Sequence, residues 1–245
     1  MPYRQNAFAP DHIYHVYNRG IDRMPIFACP DNYVYLLRKV KRLLDELPMT
    51  ILAYCLMPNH YHFVLRQDGD VPISTFVQRL FQTYTQAFNR QQGRKGPLFE
   101  GRFRHVHVDR DEYVVHLCRY VHLNPVTGGL VSDPADWPYS NYLEWIEARP
   151  GTLVDRAFVR QFFPTPDAYV AFVQDHIAPH TAQQLRPYLW TTKTTFPKAL
   201  SFREGEEVTD ECENWLRKSA ATDHIRPRAE HPDESIDPAH TSYTF

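Results

Sequence analysis

Residues 50–66, TILAYCLMPNHYHFVLR, contain two short runs of apolar, aromatic and β-branched residues that meet at a Met-Pro-Asn turn. Runs of this composition on either side of a turn are typical of paired strands, so we expect strands over 50–56 and 60–66. Side chains alternate between the two faces of a strand. His60 and His62 are therefore predicted to lie on the same face of the second strand.

Strands and helices alternate on both sides of this pair. Residues 12–18, HIYHVYN, predict a first strand, and residues 103–108 predict a last one. The segments 31–47 and 73–89 have apolar side chains at helical spacing, and Asp31 is placed to cap the first of these helices. With a further helix after residue 108, the order is β-α-β-β-α-β-α. This order predicts an α+β protein with a ferredoxin-like or RRM-like antiparallel sheet, helices on one face and an added active-site helix.

The last of these helices is expected to begin at a cap, either Asp109 or Asp111, and to end at Pro125 and the glycine pair that follows. Tyr120 and Asn124 are four residues apart on it, so their side chains share one face. A phenol can act as a nucleophile on phosphorus, and an amide oxygen can bind a metal ion. The ordinary alternative is a tyrosine of the core with its hydroxyl in solvent and an asparagine at a helix end.

The His60 and His62 pair also has two interpretations. Two imidazoles on one strand face can hold a divalent ion that acts as a Lewis acid on a phosphate oxygen. Pairs with this spacing also occur by chance on exposed strands, and the chain has 13 histidines. Spacing alone therefore leaves both interpretations open.

Charge is distributed unevenly along the chain. The formal net charge is only −2, which does not by itself indicate a nucleic-acid-binding protein. Residues 71–110 nevertheless carry seven arginines and lysines against two acidic residues, whereas acidic residues crowd the segment after residue 203. A basic surface is therefore predicted on the first part of the chain.

The four cysteines have no Cys-x-x-Cys spacing, so neither a zinc knuckle nor a disulfide framework is indicated. No run of about 18 apolar residues is present, and residues 1–12 lack the apolar core of a signal peptide. These features lead us to expect a cytoplasmic protein with no membrane partner.

Five segments stand out in order along the chain: YHVYNRG (14–20), MPNHYHFVL (57–65), GPLFEGRFRHVHVDRDEY (96–113), RYVHLNPV (119–126) and DWPYSNY (136–142). Together they resemble the REP-associated tyrosine transposases of the HUH single-tyrosine class. The resemblance covers roughly residues 12–145, and residues 157–176 resemble an extension found in longer members. By that resemblance His60, His62 and Asn124 bind Mg²⁺ or Mn²⁺, and Tyr120 attacks single-stranded or hairpin DNA to form a 5'-phosphotyrosine link.

The resemblance also directs attention to residues 94–104, where cations alternate with aromatic rings. Phosphate contacts require cations, and unpaired bases stack on aromatic rings. We therefore expect DNA contacts from Arg94, Lys95, Arg102 and Arg104. The alternative is a solvated basic loop whose two phenylalanines lie in the core.

The domain organisation follows from these patterns. We expect a catalytic domain over 1–145, a helical extension over 146–203 and an acidic, disordered tail over 204–245. Two other functions remain open: an RNA-binding RRM-like module, whose RNP octamer is not present, and a domesticated hairpin-DNA-binding protein that no longer transposes DNA. The sequence leaves both a monomer and a dimer open.

Overall fold

A four-stranded antiparallel sheet lies at the centre of the protein. The computed structural model describes residues 8–175 and 179–190. The strands are β1 (Ile13–Arg19), β2 (Met49–Met57), β3 (His60–Gln67) and β4 (Arg104–Val108), arranged in the order β2-β3-β1-β4. All three strand pairs are antiparallel. The predicted α+β class with an antiparallel sheet is therefore confirmed.

Three long helices surround the sheet: α1 (Pro30–Glu46), α2 (Ile73–Gln91) and α3 (Asp111–Thr127). The Phe81 ring of α2 stacks on Tyr61 of β3 at 4.1 Å, and α1 packs beside α2. Helix α3 lies against the opposite face of the sheet, where Tyr120 contacts His62. The sheet thus has two helices on one face and the added helix on the other.

Strand pairing determines which side chains lie on the face of the sheet that α3 covers, called here the α3 face. Tyr17 of β1 is directly opposite His62 of β3, and Arg104 of β4 is directly opposite Tyr17. Residues paired in this way point to the same face of a sheet. His15 and His60 join them, because each is two residues away from one of these partners along its strand.

The helix ends differ from the predicted caps. Helix α1 begins at Pro30, and Asp31 lies inside the first turn, where its side chain caps nothing. Proline is well suited to the first helical position because that residue needs no N–H. Helix α3 likewise has no side-chain cap, and it continues through Pro125 to Thr127. The proline falls in the last turn and so removes only the donor for the Val121 carbonyl.

Residues beyond α3 close one edge of the sheet. The Leu56 amide of β2 donates to the Tyr139 carbonyl at 2.9 Å, and the Asn141 side chain accepts from the Tyr54 amide at 2.8 Å. The Trp137 indole donates to the Leu56 carbonyl at 3.1 Å. The aromatic residues of DWPYSNY therefore pack the connection after α3.

The described part of the extension packs directly on α3. A short helix, α4 (Tyr142–Trp145), precedes it, and the extension itself contains α5 (Arg156–Phe162), α6 (Pro166–Gln174) and α7 (Pro179–Leu185). Arg119 of α3 is buried and donates to the Phe172 carbonyl at 2.7 Å. The tail predicted over 204–245, and residues 191–203 of the predicted extension, lie outside the described residues. Within the described ranges, no helix has the length and apolarity needed to cross a membrane.

Candidate active site

The two histidines of β3 lie side by side and buried beneath α3. The ring centroids of His60 and His62 are 5.1 Å apart, with the rings nearly perpendicular. Burial lowers the pKa of His60 to about 3 and holds the pKa of His62 well below its usual range. Both imidazoles are therefore neutral at pH 7, which is the state that binds a metal ion.

Asn59 determines the tautomer of His60. The Asn59 Nδ2 donates to the Arg23 carbonyl at 3.1 Å, so its Oδ1 is the atom that faces His60. That oxygen lies 2.7 Å from Nδ1 of His60 and can only accept a hydrogen bond. Nδ1 of His60 therefore carries the proton, and Nε2 carries the lone pair.

His62 has an unusual environment for a buried side chain. Its Nδ1 lies 2.9 Å from Nε2 of His15, while its own Nε2 is buried and has no hydrogen-bond partner among the described residues. An orphaned buried nitrogen costs free energy unless a further group binds it. Neutral imidazoles suit a divalent transition ion, so the two histidines fit the metal site expected from the sequence. Among the described residues, no group of three or more His, Cys, Asp and Glu side chains could hold such an ion.

Tyr120 faces His62 from the middle of α3. The two ring centroids are 5.7 Å apart in an edge-to-face arrangement. The Tyr120 hydroxyl donates to the backbone carbonyl of Trp190 at 2.5 Å, and burial raises the pKa of the phenol. The structure therefore brings the candidate nucleophile and one candidate metal ligand together.

Asn124 lies one turn of α3 beyond Tyr120. Its Nδ2 donates to the Tyr120 carbonyl at 2.9 Å and lies 3.5 Å from the Val121 carbonyl. The second of these carbonyls is the one deprived of its helical donor by Pro125. Because the amide nitrogen is held by the helix backbone, the Oδ1 atom of Asn124 is the one suited to a metal ion.

A segment that the sequence analysis missed covers this site. We call residues 188–190 the covering segment. Besides the Trp190 carbonyl, it places the Trp190 indole 5.2 Å from the His60 ring, 5.6 Å from the His62 ring and stacked on Tyr17 at 5.1 Å. An apolar, aromatic Tyr-Leu-Trp run in a weakly patterned region was the available signal.

Arg19 and Arg119, which lie within two of the five sequence motifs, have different environments. Arg19, at the end of β1, makes a bidentate ion pair with Glu100 at 2.8 and 2.9 Å, and its guanidinium lies 5.4 Å from the Trp190 ring centroid. It therefore lies at the rim of the site. Arg119 points away from the site and binds carbonyls of the extension.

Residues 94–104, called here the basic segment, lie beside the site and are mostly exposed. Lys95, Arg102 and Arg104 are exposed, whereas Arg94 is half-buried and donates to the Pro97 carbonyl at 3.1 Å. Phe99 and Phe103 pack partly against the core. Arg104 shares the α3-covered face of the sheet with Tyr17, so its charge lies on the same side of the sheet as the candidate nucleophile.

Comparisons with known proteins consistently find transposases as the similar proteins. Residues 9–124 match the family model described as "Transposase IS200 like". The chain is 27% identical over 118 residues to a REP-associated tyrosine transposase of Haemophilus influenzae, and 27% identical over 105 residues to one of Escherichia coli K12. These matches span 44% and 42% of this chain, and 67% and 59% of the respective relatives.

A solved structure is also similar, that of a REP-associated tyrosine transposase bound to a REP hairpin. It has a TM-score of 0.49 and 21% sequence identity, over 63% of this chain and 94% of the other. The resemblance expected from the five motifs is confirmed by the family model and the two relatives. The chain is similar to REP-associated tyrosine transposases, and its residues 9–124 are similar to the IS200-like transposases.

Proposed function

We propose that this protein cleaves and rejoins single-stranded, hairpin-bearing DNA, with Tyr120 as the nucleophile. The observation that carries the proposal is the position of the Tyr120 ring beside His62, whose buried Nε2 has no hydrogen-bond partner within the described part of the chain. A phenol next to a ligand nitrogen for a divalent ion is suited to attack on a phosphate bound between them.

His60, His62 and Asn124 would hold the metal ion, Mg²⁺ or Mn²⁺. When bound, the ion supplies a Lewis acid for a phosphate oxygen. The chain's own residues supply the rest. Asn59 and His15 orient the two imidazoles, and the α3 backbone holds the Asn124 amide.

The reaction conserves one phosphoester bond. Tyr120 loses its phenolic proton, and its oxygen forms a bond to phosphorus while the bond from phosphorus to the 3'-oxygen breaks. The departing 3'-oxygen takes up a proton, which leaves a free 3'-hydroxyl and a 5'-phosphotyrosine. Attack by a 3'-hydroxyl on this link reverses the step, so rejoining needs no external energy source.

Lys95, Arg102 and Arg104, together with Arg94, would bind the DNA backbone beside the site. Three of these side chains are exposed, and Arg104 lies on the same sheet face as Tyr17 and the two histidines. Cations bind phosphates without regard to sequence, and neighbouring rings can stack on unpaired bases. An RRM-like RNA-binding function is less favourable, because α3 and the covering segment occupy the sheet face that such a module leaves open.

The direct test is a covalent adduct. Purified protein is incubated with a labelled hairpin oligonucleotide carrying a single-stranded flank and Mn²⁺, then run on a denaturing gel. We expect a protein-DNA adduct that Tyr120→Phe abolishes while hairpin affinity is retained, because ring packing survives. Tyr17→Phe is the matched control, since Tyr17 also has its ring in the site and should not be required. An adduct with Tyr120→Phe would show that another residue is the nucleophile.

A second candidate function is hairpin binding without cleavage. The covering segment favours it, because the Trp190 carbonyl occupies the Tyr120 hydroxyl and the indole lies against both histidines. This alternative predicts that no adduct forms even when Trp190 is replaced, while hairpin binding persists.

A further inference from the structure

His15 connects His62 to the covering segment through two buried hydrogen bonds. Its Nδ1 lies 2.6 Å from the Tyr188 carbonyl, and its Nε2 lies 2.9 Å from Nδ1 of His62. All of these contacts are buried, and the two rings are 5.1 Å apart. His15 belongs to β1 and His62 to β3, so the sheet register brings them together as diagonal neighbours on one face.

When both imidazoles are neutral, only one arrangement of protons satisfies both contacts of His15. A carbonyl oxygen can only accept, so Nδ1 of His15 donates to Tyr188. A neutral His15 then has its lone pair at Nε2, which requires Nδ1 of His62 to donate. A neutral His62 in this tautomer carries its lone pair at Nε2, the buried atom that no described residue binds by a hydrogen bond.

The opposite arrangement is unfavourable. If both nitrogens of His15 carried protons, Nδ1 of His62 would have to accept, and the proton of His62 would lie on Nε2. A buried N–H would then have no acceptor at that position, which is costly. Metal-binding histidines generally donate their other ring N–H to a neighbouring group that fixes ring orientation and tautomer.

We propose that His15 is a positioning residue that holds His62 in the tautomer and orientation in which Nε2 can bind a divalent ion. The inference rests on the proposed function, which assigns His62 to the metal site. His15 then does for His62 what Asn59 does for His60. The two ligands of one ion are oriented independently, one by a turn residue and one by the neighbouring strand.

The tautomer can be observed without activity. In metal-free protein labelled with ¹⁵N-histidine, long-range ¹H–¹⁵N correlation spectra should show His62 protonated at Nδ1 in the wild type. His15→Leu should give a mixture of tautomers. His15→Gln should restore the wild-type form, because its amide nitrogen can donate to Tyr188 and its oxygen can accept from His62. A wild-type His62 protonated at Nε2 would overturn the proposal, whatever the variants do.

Metal binding gives a second measurement. Free Mn²⁺ is followed by electron paramagnetic resonance during titration of the protein in the absence of DNA. We expect His15→Leu to weaken Mn²⁺ binding by about 10- to 100-fold, with His15→Gln close to the wild type. Mn²⁺ affinity unchanged in folded His15→Leu, or equally reduced in both variants, would contradict a positioning role.

His62→Ala separates the two proposals. If His62→Ala abolishes Mn²⁺ binding and His15→Leu leaves it unchanged, the metal site stands and the role of His15 is wrong. If His62→Ala itself binds Mn²⁺ normally, the metal site in the proposed function is wrong. The tautomer in the wild-type spectrum decides the hydrogen-bond arrangement in either case.

Discussion

The Tyr120 hydroxyl donates a hydrogen bond at 2.5 Å to the backbone carbonyl of Trp190, 70 residues further along the chain. The same residue stacks its indole on Tyr17 and contacts both histidines. A DNA phosphate that reaches Tyr120 must therefore displace Trp190. Under the proposed function, access to the site is therefore a competition between DNA and the covering segment.

Replacing the indole should favour DNA in this competition. Trp190→Ala removes ring contacts that contribute about 1–2 kcal/mol, so the initial rate of adduct formation should rise about 5- to 30-fold at subsaturating DNA. Trp190→Phe retains a stacking ring and should have a smaller effect. The rate is measured by quenching the adduct reaction at short times. A slower reaction in Trp190→Ala would mean that the indole assists DNA binding instead.

Loss of either candidate ligand should reduce cleavage without displacing the nucleophile. His60→Ala or His62→Ala withdraws part of the metal site while Tyr120 remains, so adduct formation should fall by about 100-fold or more. Excess Mn²⁺ should partly restore it, and a chelator should abolish it in the wild type. The control is His12→Ala, which changes an exposed histidine. Full activity of both site variants in chelator-treated buffer would exclude metal dependence.

The basic segment should determine how salt affects DNA binding. Alanine substitutions at Arg94, Lys95, Arg102 and Arg104 should flatten the plot of log affinity against log salt by about 0.7 for each lost phosphate contact. Arg38 and Lys41 are exposed on α1, which packs on the other side of the sheet with α2, and serve as matched controls. Fluorescence anisotropy at several salt concentrations gives the slope. Equal slopes for the two sets of variants would remove the segment from the interface.

Acid should destabilise the metal-free protein. His122 is fully buried between Tyr169 and Asn141, and burial lowers its pKa from 6.5 to about 4. Between these two values the unfolded chain binds a proton that the folded state excludes, so stability falls as pH falls through this window. The loss from this one residue is about 3 kcal/mol.

Urea unfolding at pH 7.5 and pH 5 measures this effect. The free energy of unfolding should be lower at pH 5, and His122→Gln should reduce the difference. His12→Gln, an exposed position, should leave the difference unchanged. Equal stability of the wild type at the two pH values would contradict a neutral, buried His122.

The strands of the sheet and the positions of the candidate site residues on it were largely predictable. Alternating apolar runs gave the strands, because one face of each strand is buried, and helical spacing gave α1, α2 and α3. The same period of two placed His60 and His62 on one face, as observed. The caps were less predictable, since Pro30 and Pro125 fit into the first and last helical turns where a missing N–H is tolerated.

The contacts that complete the site were not predictable from local patterns. His15 meets the Tyr188 carbonyl across 173 residues, and the acceptors in the covering segment are backbone atoms, which any residue type provides. Periodicity shows which face of a strand is buried but not which distant segment covers it. The hydrogen-bond partners of Arg119 could not be predicted for the same reason. They are backbone carbonyls of the extension.

The 70-residue separation of Tyr120 and Trp190 in sequence also affects the order in which the site is assembled during protein synthesis. A ribosome that adds about 5–20 residues per second needs about 4–14 seconds to make the 70 residues that separate them. Strands β1 to β4 and helix α3 are all synthesised before the covering segment exists. Each new molecule therefore passes through a stage of its own synthesis in which the Tyr120 hydroxyl has not yet met its internal acceptor.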